Sequence, residues 1–366
     1  MTYNILEYQQ IMSRSVLPVF GLAEKKVKLE AFGSGLINST WKVTAASDEY
    51  ILQRLNHLVF SEPEDIAYNI NLIAQYLGKH YPAYTFAAPI TAEDGSTLVY
   101  LEGEGFFRMF PFMKGSYAKE VVETPTEAYE AAMQFGRFTH LLSGLDATQL
   151  KITIPSFHDL SLRYRQFLTA LEAGNADRII EADALIQQVM DNKAILEHYQ
   201  QIVTNPDCKL RVTHHDTKIS NVLFHKDGKG LCVIDLDTVM PGHFISDVGD
   251  MMRTYLSPVS EEEADLSKIE VRASIFEAIV KGYYHEMKSD LTETEKQLFF
   301  YAGKFMIYMQ AIRFLTDYLN DDVYYGARYE KHNFIRASNQ LVLLQKLIEK
   351  ESELVPLINQ ILSTNE

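Results

Sequence analysis

The stretch that decides the fold runs from Arg211 to Asp250 and reads RVTHHDTKISNVLFHKDGKGLCVIDLDTVMPGHFISDVGD. It opens with a polar cluster that contains Asp216 and Asn221, and two apolar segments, VLF and LCVI, then flank the turn KDGKG. Short apolar segments joined by a glycine-containing turn predict a β-hairpin. Asp235 comes directly after the second segment. We therefore expect Asp216, Asn221 and Asp235 at one edge of a small sheet.

This set of side chains suits phosphoryl transfer. That reaction needs a carboxylate that orients and deprotonates an alcohol, oxygen ligands for Mg²⁺, and a cation on the moving phosphate. We interpret Asp216 as the catalytic base and Lys218 as the phosphate contact, with Asn221 and Asp235 as the Mg²⁺ ligands. The alternative is a polar turn before an ordinary hairpin, and the acid that follows the second apolar segment argues against it.

The spacing of this cluster matches the protein-kinase catalytic loop, H-R-D-x-x-x-x-N. His214, Asp216 and Asn221 occupy the His, Asp and Asn positions, and Lys218 matches a lysine that many such loops carry. Asp235 stands where the metal-binding acid of D-F-G is expected, although Leu and Asp replace the Phe and Gly that follow.

Length, composition and charge narrow the function classes. A chain of 366 residues is long enough for two lobes with cores, and 47% hydrophobic with 23% charged residues is ordinary for a globular protein. The net charge of −15 argues against nucleic acid or an anionic membrane as a partner, whereas a local cationic site still permits ATP binding. The 2 cysteines form no disulfide or metal-ligand pattern. Without a signal-peptide pattern or a membrane-length apolar run, we expect a cytoplasmic protein.

The N-terminal part predicts an opening helix within residues 1–20 and then strands around one helix. The start of that second helix, Ser61-Glu62-Pro63-Glu64, matches a capping box with proline in the first turn. Gly33 and Gly35 lie in the turn FGSGLIN between two predicted strands, where backbone amides can approach phosphate oxygens. A flexible turn without a ligand is the alternative. We assign both glycines to nucleotide binding.

The strand YILQRL carries the cation that we assign to the nucleotide phosphates, Arg54. A register change of one residue would turn Gln53 toward the phosphates instead. We favour Arg54 because glutamine lacks the charge.

An aromatic strand, FFRMFPFM, is predicted to close a five-stranded sheet, with further strands at residues 84–86 and 97–101. Pro111 ends the ladder of this strand, because proline has no N–H to donate. We therefore place the adenine beside Phe110. A core strand with a proline at its edge is the alternative.

From Thr124 onward the pattern becomes helical, and TPTE is a helix start. Further helices are predicted over 158–202, 262–289, 293–319 and 332–363. The predicted fold class is α+β with two lobes, a small antiparallel-sheet N-lobe and a larger, mainly helical C-lobe. We assign residues 1–110 to a nucleotide-binding lobe and residues 111–366 to a catalytic and substrate-binding lobe.

The two lobes and the strings HHDTKISNVLF and VIDLDTVMPGHFISDVGD resemble the aminoglycoside phosphotransferase/choline kinase family, small-molecule kinases with a protein-kinase-like fold. The family loop is closer to H-G-D-x-x-x-x-N, so His215 stands in place of its glycine. The resemblance implies ATP and Mg²⁺ as cofactors. It also implies that Asp247, which follows Gly242, braces the catalytic loop.

Within that family, several segments resemble the N-acetylhexosamine 1-kinases: YILQRLN, GRFTHLL, IPSFHDLSLRYRQF, IDLDTVMPG and RFLTDYLNDDVYY. This resemblance implies that the sugar contacts Asp216, Arg313 and Tyr324. A salt-bridging arginine and a surface tyrosine are the alternatives for Arg313 and Tyr324. One position departs from the pattern, because Leu36 stands where such kinases can carry a histidine.

We therefore expect an ATP- and Mg²⁺-dependent small-molecule kinase that phosphorylates a sugar hydroxyl, with the anomeric position of an N-acetylhexosamine as the favoured acceptor. One alternative acceptor is an aminoglycoside or a choline-like amino alcohol, which an acidic chain would attract. A catalytically weak nucleotide-binding protein of the same fold is the other alternative. The intact Asp216, Asn221 and Asp235 favour an active kinase.

Overall fold

The computed structural model describes residues 12–22, 27–33, 38–56 and 60–364 of the chain. Contacts within the chain divide it into two compact units. The first unit comprises Met1–Ser116, Thr148–Ile154 and Ile234–Met240, and the second comprises Tyr117–Ala147, Pro155–Val233 and Pro241–Glu366. Asp235 therefore belongs to the first unit, whereas Asp216 and Asn221 belong to the second.

Five strands form the sheet of the first unit. They are β1 (Val27–Ala31), β2 (Ser39–Ala45), β3 (Asp48–Arg54), β4 (Val99–Leu101) and β5 (Gly105–Pro111). Their order is β1-β2-β3-β5-β4, and each neighbouring pair is antiparallel. The small antiparallel sheet predicted from the sequence is thus confirmed.

The strand predicted at residues 84–86 is wrong. Tyr84 donates its backbone N–H to Tyr81 O at 2.9 Å, and Ala88 donates to Phe86 O at 2.9 Å. Backbone donors that are used in local turns are not available to a neighbouring strand. The strand predicted at residues 97–101 is present as β4.

Successive side chains of each strand point to opposite faces of the sheet, and the side chains on one of these faces are buried. Val43, Leu52, Phe107 and Met109 lie in one apolar cluster with Met12. A π turn (Met12–Val16) and a 3-10 turn (Leu17–Phe20) supply the N-terminal part of the cluster. The sequence predicted a regular opening helix within residues 1–20, of which residues 1–11 lie outside the described part.

Helix α1 (Pro63–His80) begins with proline, as predicted, because its first turn needs no N–H donor there. The predicted capping box is wrong, since the N-cap is Glu62 and its side chain makes no capping bond. Asn69, buried within the helix, donates to Lys151 O at 2.9 Å and to Val239 O at 3.0 Å. These bonds tie the 148–154 and 234–240 segments to the first unit.

The second unit is mainly helical. In chain order its helices are α2 (Pro125–Leu141), α3 (Leu160–Ala173), α4 (Ala176–Glu181), α5 (Asp183–Asp191), α6 (Ala194–Thr204), α7 (Ile245–Tyr255), α8 (Ala273–Met287), α9 (Glu293–Lys296), α10 (Phe299–Leu319), α11 (His332–Glu349) and α12 (Glu351–Ser363). Nearly all of α10 is buried, as expected for a helix that is apolar on every side. It packs against α3, α7 and α11.

The predicted helices are divided in the structure at identifiable residues. Within 158–202, α3 ends before Gly174, and Asn175 caps α4 by accepting from Asp177 N and Arg178 N. The predicted helix over 332–363 likewise divides at Lys350. The start at Thr124 is confirmed as a full capping box.

The predicted hairpin is confirmed as β8 (Val222–His225) and β9 (Gly230–Val233), which pair antiparallel with an irregularity after Leu223. Three further short strands are β6 (Ser116–Tyr117), β7 (Arg211–Thr213) and β10 (Met240–Gly242). The hairpin follows the polar loop 214–221 directly. Among the residues that the structure describes, we find no helix long and apolar enough to cross a bilayer.

Candidate active site

Two carboxylates of α7 hold the backbone of the 214–221 loop. Asp247 accepts from His214 N at 3.1 Å and from His215 N at 2.7 Å. Asp250 accepts from Thr217 N at 2.8 Å. Asp247 thus braces the loop, as the resemblance implied, and Asp250 is a second brace that the sequence analysis did not identify.

Both braces are buried, and burial shifts their acidity. Burial raises the pKa of Asp247 to about 7, although its bonds to two backbone N–H groups favour the ionised form. Burial also raises the pKa of Asp250, and the nearby charge of Arg253 opposes that rise. Arg253 donates to Asp250 Oδ1 from Nε at 3.1 Å and from Nη2 at 2.9 Å. Its Nη1 donates to Glu261 Oε2 at 2.7 Å.

The loop presents Asp216 in a fixed orientation. Asn221 Nδ2 donates to the Asp216 backbone oxygen at 2.8 Å and to Asp216 Oδ2 at 3.0 Å. Lys218 Nζ lies 3.2 Å from the same Oδ2. The Asp216 side chain keeps 25% of its surface exposed. Three of the predicted residues therefore meet within the second unit, with one carboxylate oxygen held and the other available to an incoming hydroxyl.

His215 adopts a left-handed backbone conformation, with φ of 66°, which is uncommon for a residue with a side chain. Its Nδ1 lies 2.7 Å from Ser246 Oγ, and His158 Nδ1 lies 2.5 Å from the same oxygen. A serine hydroxyl has one proton to donate, so at least one of these imidazoles donates its own Nδ1–H. Ser246 thus joins the residue beside Asp216 to the segment before α3.

An aromatic and cationic group, which we call the Phe157 cluster, lies beside His158 and consists of Phe157, Gln310, Arg313 and Tyr325. The Arg313 guanidinium is 5.6 Å from the Phe157 ring centre and 5.4 Å from that of Tyr325. Its Nη1 donates to Gln310 Oε1 at 3.2 Å. Phe157 stacks on His158 with ring centres 4.3 Å apart. The cluster therefore connects through His158 and Ser246 to the loop of Asp216.

Tyr324 lies at the edge of this cluster and is 68% exposed. Its ring meets that of Tyr325 edge-on, with centres 4.8 Å apart. Asp317 accepts from Tyr324 N at 2.7 Å and from Tyr325 N at 2.9 Å, which fixes the chain after α10. The predicted pair Arg313 and Tyr324 therefore shares one neighbourhood, with Tyr325 between them.

In the first unit, the segment after β9 is anchored by Asp237. Its Oδ1 lies 2.5 Å from Arg108 Nη1, and its Oδ2 accepts from Asn38 Nδ2 at 2.7 Å. Arg108 also donates from Nε to Gln53 Oε1 at 3.0 Å. Asp235, two residues earlier, has a left-handed φ of 61°. Non-glycine residues in this conformation concentrate at functional sites.

Strand alternation separates Arg54 from this group. Arg54 shares the face of Leu52, whereas Gln53 points to the side of Arg108 and Asp237. The guanidinium of Arg54 lies beside Gly105, within 3.5 Å of where a Cβ would stand. Gln53, the alternative register, therefore faces the Asp237 side.

Two of the remaining nucleotide-site candidates, Phe110 and Gly33, lie on or next to strands of the same sheet. Phe110 is in β5, with its ring centre 5.1 Å from the Arg108 guanidinium. Gly33, just after β1, has φ of 79°, a conformation that glycine adopts readily. Gly35 and Leu36 lie outside the described residues. Among the residues described, we find no cluster of three or more His, Cys, Asp or Glu that would hold a metal.

Phe157, Tyr325 and Arg108 were not predicted from the sequence. The first two lie in strings that marked the family resemblance, IPSFHDLSLRYRQF and RFLTDYLNDDVYY, but spacing does not show that these strings meet. For Arg108, the sequence did offer an indication, because this arginine lies among aromatic residues in the strand FFRMFPFM. An arginine buried in a sheet needs a partner.

Several proteins of known structure share this architecture. The microcompartment-associated aminopropanol kinase is 16% identical over 96% of this chain and 98% of its own, with a TM-score of 0.62. Spectinomycin phosphotransferase in complex with ADP and spectinomycin is 13% identical over 99% of each chain, with a TM-score of 0.55. Choline kinase from Cryptosporidium parvum is 11% identical over 99% of this chain and 100% of its own, with a TM-score of 0.53.

These low identities establish the fold alone, which is protein-kinase-like with an antiparallel-sheet N-lobe and a helical C-lobe. The α+β, two-lobe prediction is therefore confirmed. The sequence itself matches the model of the phosphotransferase enzyme family over residues 28–273. Since that match covers more than half of the chain, the protein belongs to the phosphotransferase enzyme family.

Proposed function

We propose that this phosphotransferase is an ATP- and Mg²⁺-dependent kinase that phosphorylates the anomeric hydroxyl of an N-acetylhexosamine. The observation that carries the proposal is the held carboxylate of Asp216 on a loop that connects through Ser246 and His158 to the Phe157 cluster. A carboxylate with one oxygen fixed by Asn221 and Lys218 suits an acceptor hydroxyl. An arginine between two aromatic rings suits a sugar that offers both an apolar face and hydrogen-bond acceptors.

In this proposal Asp216 acts as the general base. The acceptor oxygen forms a bond to the γ-phosphorus of ATP, the bond from that phosphorus to the bridging oxygen breaks, and ADP leaves. The hydroxyl proton passes to an Asp216 carboxylate oxygen. Lys218, with its Nζ 3.2 Å from Asp216 Oδ2, balances the negative charge as the phosphoryl group moves.

Asn221 and Asp235 are the proposed Mg²⁺ ligands. Both offer hard oxygens, and Asn221 uses its amide nitrogen on Asp216, so its Oδ1 remains for a cation. A bound Mg²⁺ would neutralise phosphate charge. This ion usually takes only one or two protein ligands beside phosphates and water, so a denser acidic cluster is not required.

For the nucleotide, we propose that backbone amides near Gly33 and Gly35 contact phosphates and that Phe110 borders the adenine. These assignments place the nucleotide on residues 1–110 and the acceptor on residues 111–366. Arg54 remains a candidate for the phosphate cation. Arg108 competes with it, because Arg108 lies on the side of Asp237, close in sequence to Asp235.

The second candidate function is an amino-alcohol or aminoglycoside kinase. Its support is the architecture shared with an aminopropanol kinase, a choline kinase and a spectinomycin phosphotransferase. The net charge of −15 also favours a cationic acceptor. Against it, Arg313 would repel an ammonium group at the Phe157 cluster.

The test measures ADP release by the purified protein with Mg²⁺ and ATP. N-acetylglucosamine and N-acetylgalactosamine are compared with kanamycin, choline and aminopropanol, and the Asp216→Asn variant gives the background. We expect an N-acetylhexosamine to have the highest kcat/KM. A higher value for any of the amines would replace the sugar with that acceptor class.

A further inference from the structure

A second arginine, Arg163 of α3, lies beside the Phe157 cluster. Its Nη1 donates to Gln166 Oε1 at 3.0 Å, and its Nη2 donates to Ser156 O at 3.1 Å and to Phe157 O at 3.4 Å. Its Nε is buried and has no hydrogen-bond partner among the described residues. The guanidinium is therefore held against the backbone next to Phe157, with its Nε–H still unused.

Neither Arg163 nor Arg313 has a carboxylate within 4 Å among the residues that the structure describes. Several other arginines of this unit do have such partners: Arg253 pairs with Asp250 and Glu261, and Arg178 pairs with Asp322. The chain has 49 acidic and 34 basic residues. The lack of acidic partners at these two arginines is therefore not a consequence of composition.

The two cations affect each other and their neighbours. Burial lowers the pKa of Arg163, and the charge of Arg313 lowers it further. Burial likewise lowers the pKa of His158, with further contributions from His215 and Arg313. Like charges that are held together and partly desolvated are costly unless a ligand supplies the missing acceptor.

The position of this pair relates it to the reaction. Arg313 lies over Phe157, and His158 connects through Ser246 to His215, next to Asp216. The two guanidinium groups therefore belong to the surroundings in which the proposed function places the acceptor. The inference below rests on that proposed function for the position of the acceptor.

We infer that Arg163 is a specificity-determining residue, which acts with Arg313 to select acceptors whose substituent offers carbonyl or carboxylate oxygen and to reject those that carry an ammonium group. A guanidinium donates hydrogen bonds and accepts none, so an acyl or carboxylate oxygen satisfies it. An ammonium group in the same position would meet two like charges. An N-acetylated sugar is thus accepted where the corresponding free amino sugar is refused.

The test compares N-acetylglucosamine with glucosamine, which differ only in acylation, at a pH where the amine is protonated. Arg163→Gln removes the charge and keeps a donor, and Arg165→Gln on the exposed side of the same helix is the matched control. For Arg163→Gln, we expect kcat/KM to fall about 10- to 100-fold with the acylated sugar, the range for losing a hydrogen bond to a charged group. In Arg163→Gln, the ratio of kcat/KM for N-acetylglucosamine to kcat/KM for glucosamine should fall, while Arg165→Gln keeps the wild-type values.

The inference would be overturned if Arg163→Gln lowered kcat/KM for both sugars by the same factor or changed neither value. It would also be overturned if the wild type had a higher kcat/KM with an amine acceptor than with the acylated sugar. If neither sugar is phosphorylated, the proposed function fails, and calorimetric titration with glucuronate and glucosamine still tests Arg163. Wild-type protein should bind the anion more tightly, and Arg163→Gln should lose that difference. Equal binding by the two proteins, or no binding of the anion, would count against the inference.

Discussion

The imidazole of His215 fills the space beside Gly242, so that a Cβ added to Gly242 would stand 2.4 Å from His215 Cε1. The histidine that departs from the family loop is therefore accommodated by a glycine across from it. Each residue restricts what the other can be. His215 has φ of 66°, a backbone conformation that glycine adopts more easily than other residues. The histidine side chain therefore makes this conformation energetically less favourable than a glycine would.

The first prediction concerns this pair. Gly242→Ala should lower the free energy of unfolding by about 1–3 kcal/mol, because the new methyl group overpacks the imidazole. In a His215→Gly background the same change should cost much less, because the methyl group then enters free space. Denaturant unfolding of the four proteins gives the coupling energy. Equal costs in both backgrounds would mean that Thr213, whose Cβ is 3.1 Å from the added atom, is the obstacle instead.

The second prediction tests the catalytic base. Asp216→Asn preserves the shape of the side chain and removes the proton acceptor, so kcat should fall about 10²-fold or more. ATP binding, followed by calorimetry, should stay close to wild type. Asp227→Asn, in the exposed hairpin turn, is the matched control and should leave kcat unchanged. Near-normal turnover of Asp216→Asn would remove this residue from the base role.

The third prediction concerns pH and Asp247, whose pKa burial raises from 3.8 to about 7. Between these values the unfolded chain loses its proton while the folded protein retains it, so the contribution of Asp247 to stability falls as pH rises. The slope is at most about 1.4 kcal/mol per pH unit. Asp247→Asn cannot titrate and should lack this contribution.

Urea unfolding of the wild type and Asp247→Asn between pH 5 and pH 8 measures the effect. The advantage of the wild type over the variant should shrink as pH rises through that window and should then level off above about 7. A constant difference between the two proteins at every pH would show that Asp247 does not titrate there.

The local part of the site was predictable from sequence. The loop 214–221 carries Asp216 and Asn221 five residues apart, and a turn of that length can bring an amide back to the carboxylate, as the 3.0 Å bond shows. The hairpin followed from two apolar segments around a glycine-containing turn. In both cases the decisive contacts join residues that are close in the chain.

Contacts between residues that are far apart in the chain were not predictable in the same way. Phe157 and Arg313 are brought together by the packing of α3 against α10, and no periodicity of either helix reports that distance. The face of β3 depends on register, because a shift of one residue exchanges Gln53 and Arg54. The bond from Arg108 to Gln53 shows the register, which the sequence alone left open.

The fourth prediction separates Arg54 from Arg108. Because Arg108 lies on the side of Asp237, Arg108→Gln should raise KM for ATP more than Arg54→Gln does. Arg108→Lys should recover part of the loss by keeping the charge. Since Arg108 is buried, circular dichroism must first show that the variants fold, and Asp237→Asn reports the effect of breaking the ion pair alone. A larger rise for Arg54→Gln would assign the phosphates to Arg54.

Glu261 lies between two arginines, and the fifth prediction tests what it positions. It accepts from Arg253 Nη1 at 2.7 Å and pairs with Arg336. Although burial raises the pKa of Glu261, the attraction of Arg253 and Arg336 outweighs it and holds the pKa below the ordinary value.

Each arginine leads to a different part of the site. Arg253 holds Asp250, which bonds Thr217 N in the catalytic loop. Arg336 lies over the Phe314 ring at 3.7 Å and over that of Tyr325 at 5.3 Å, and it donates to Asn333 Oδ1 at 3.2 Å. Glu261 is therefore placed to fix the catalytic loop and the Tyr325 side of the Phe157 cluster together.

Glu261→Gln should lower the free energy of unfolding by about 1–3 kcal/mol, because it leaves two arginines without a partly buried, charged hydrogen-bond acceptor. In protein that remains folded, KM for the acceptor should rise while KM for ATP stays near wild type. Glu262→Gln, the more exposed neighbour, is the matched control and should change neither. A Glu261→Gln enzyme that is less stable yet keeps its acceptor KM would limit this residue to stabilising the fold.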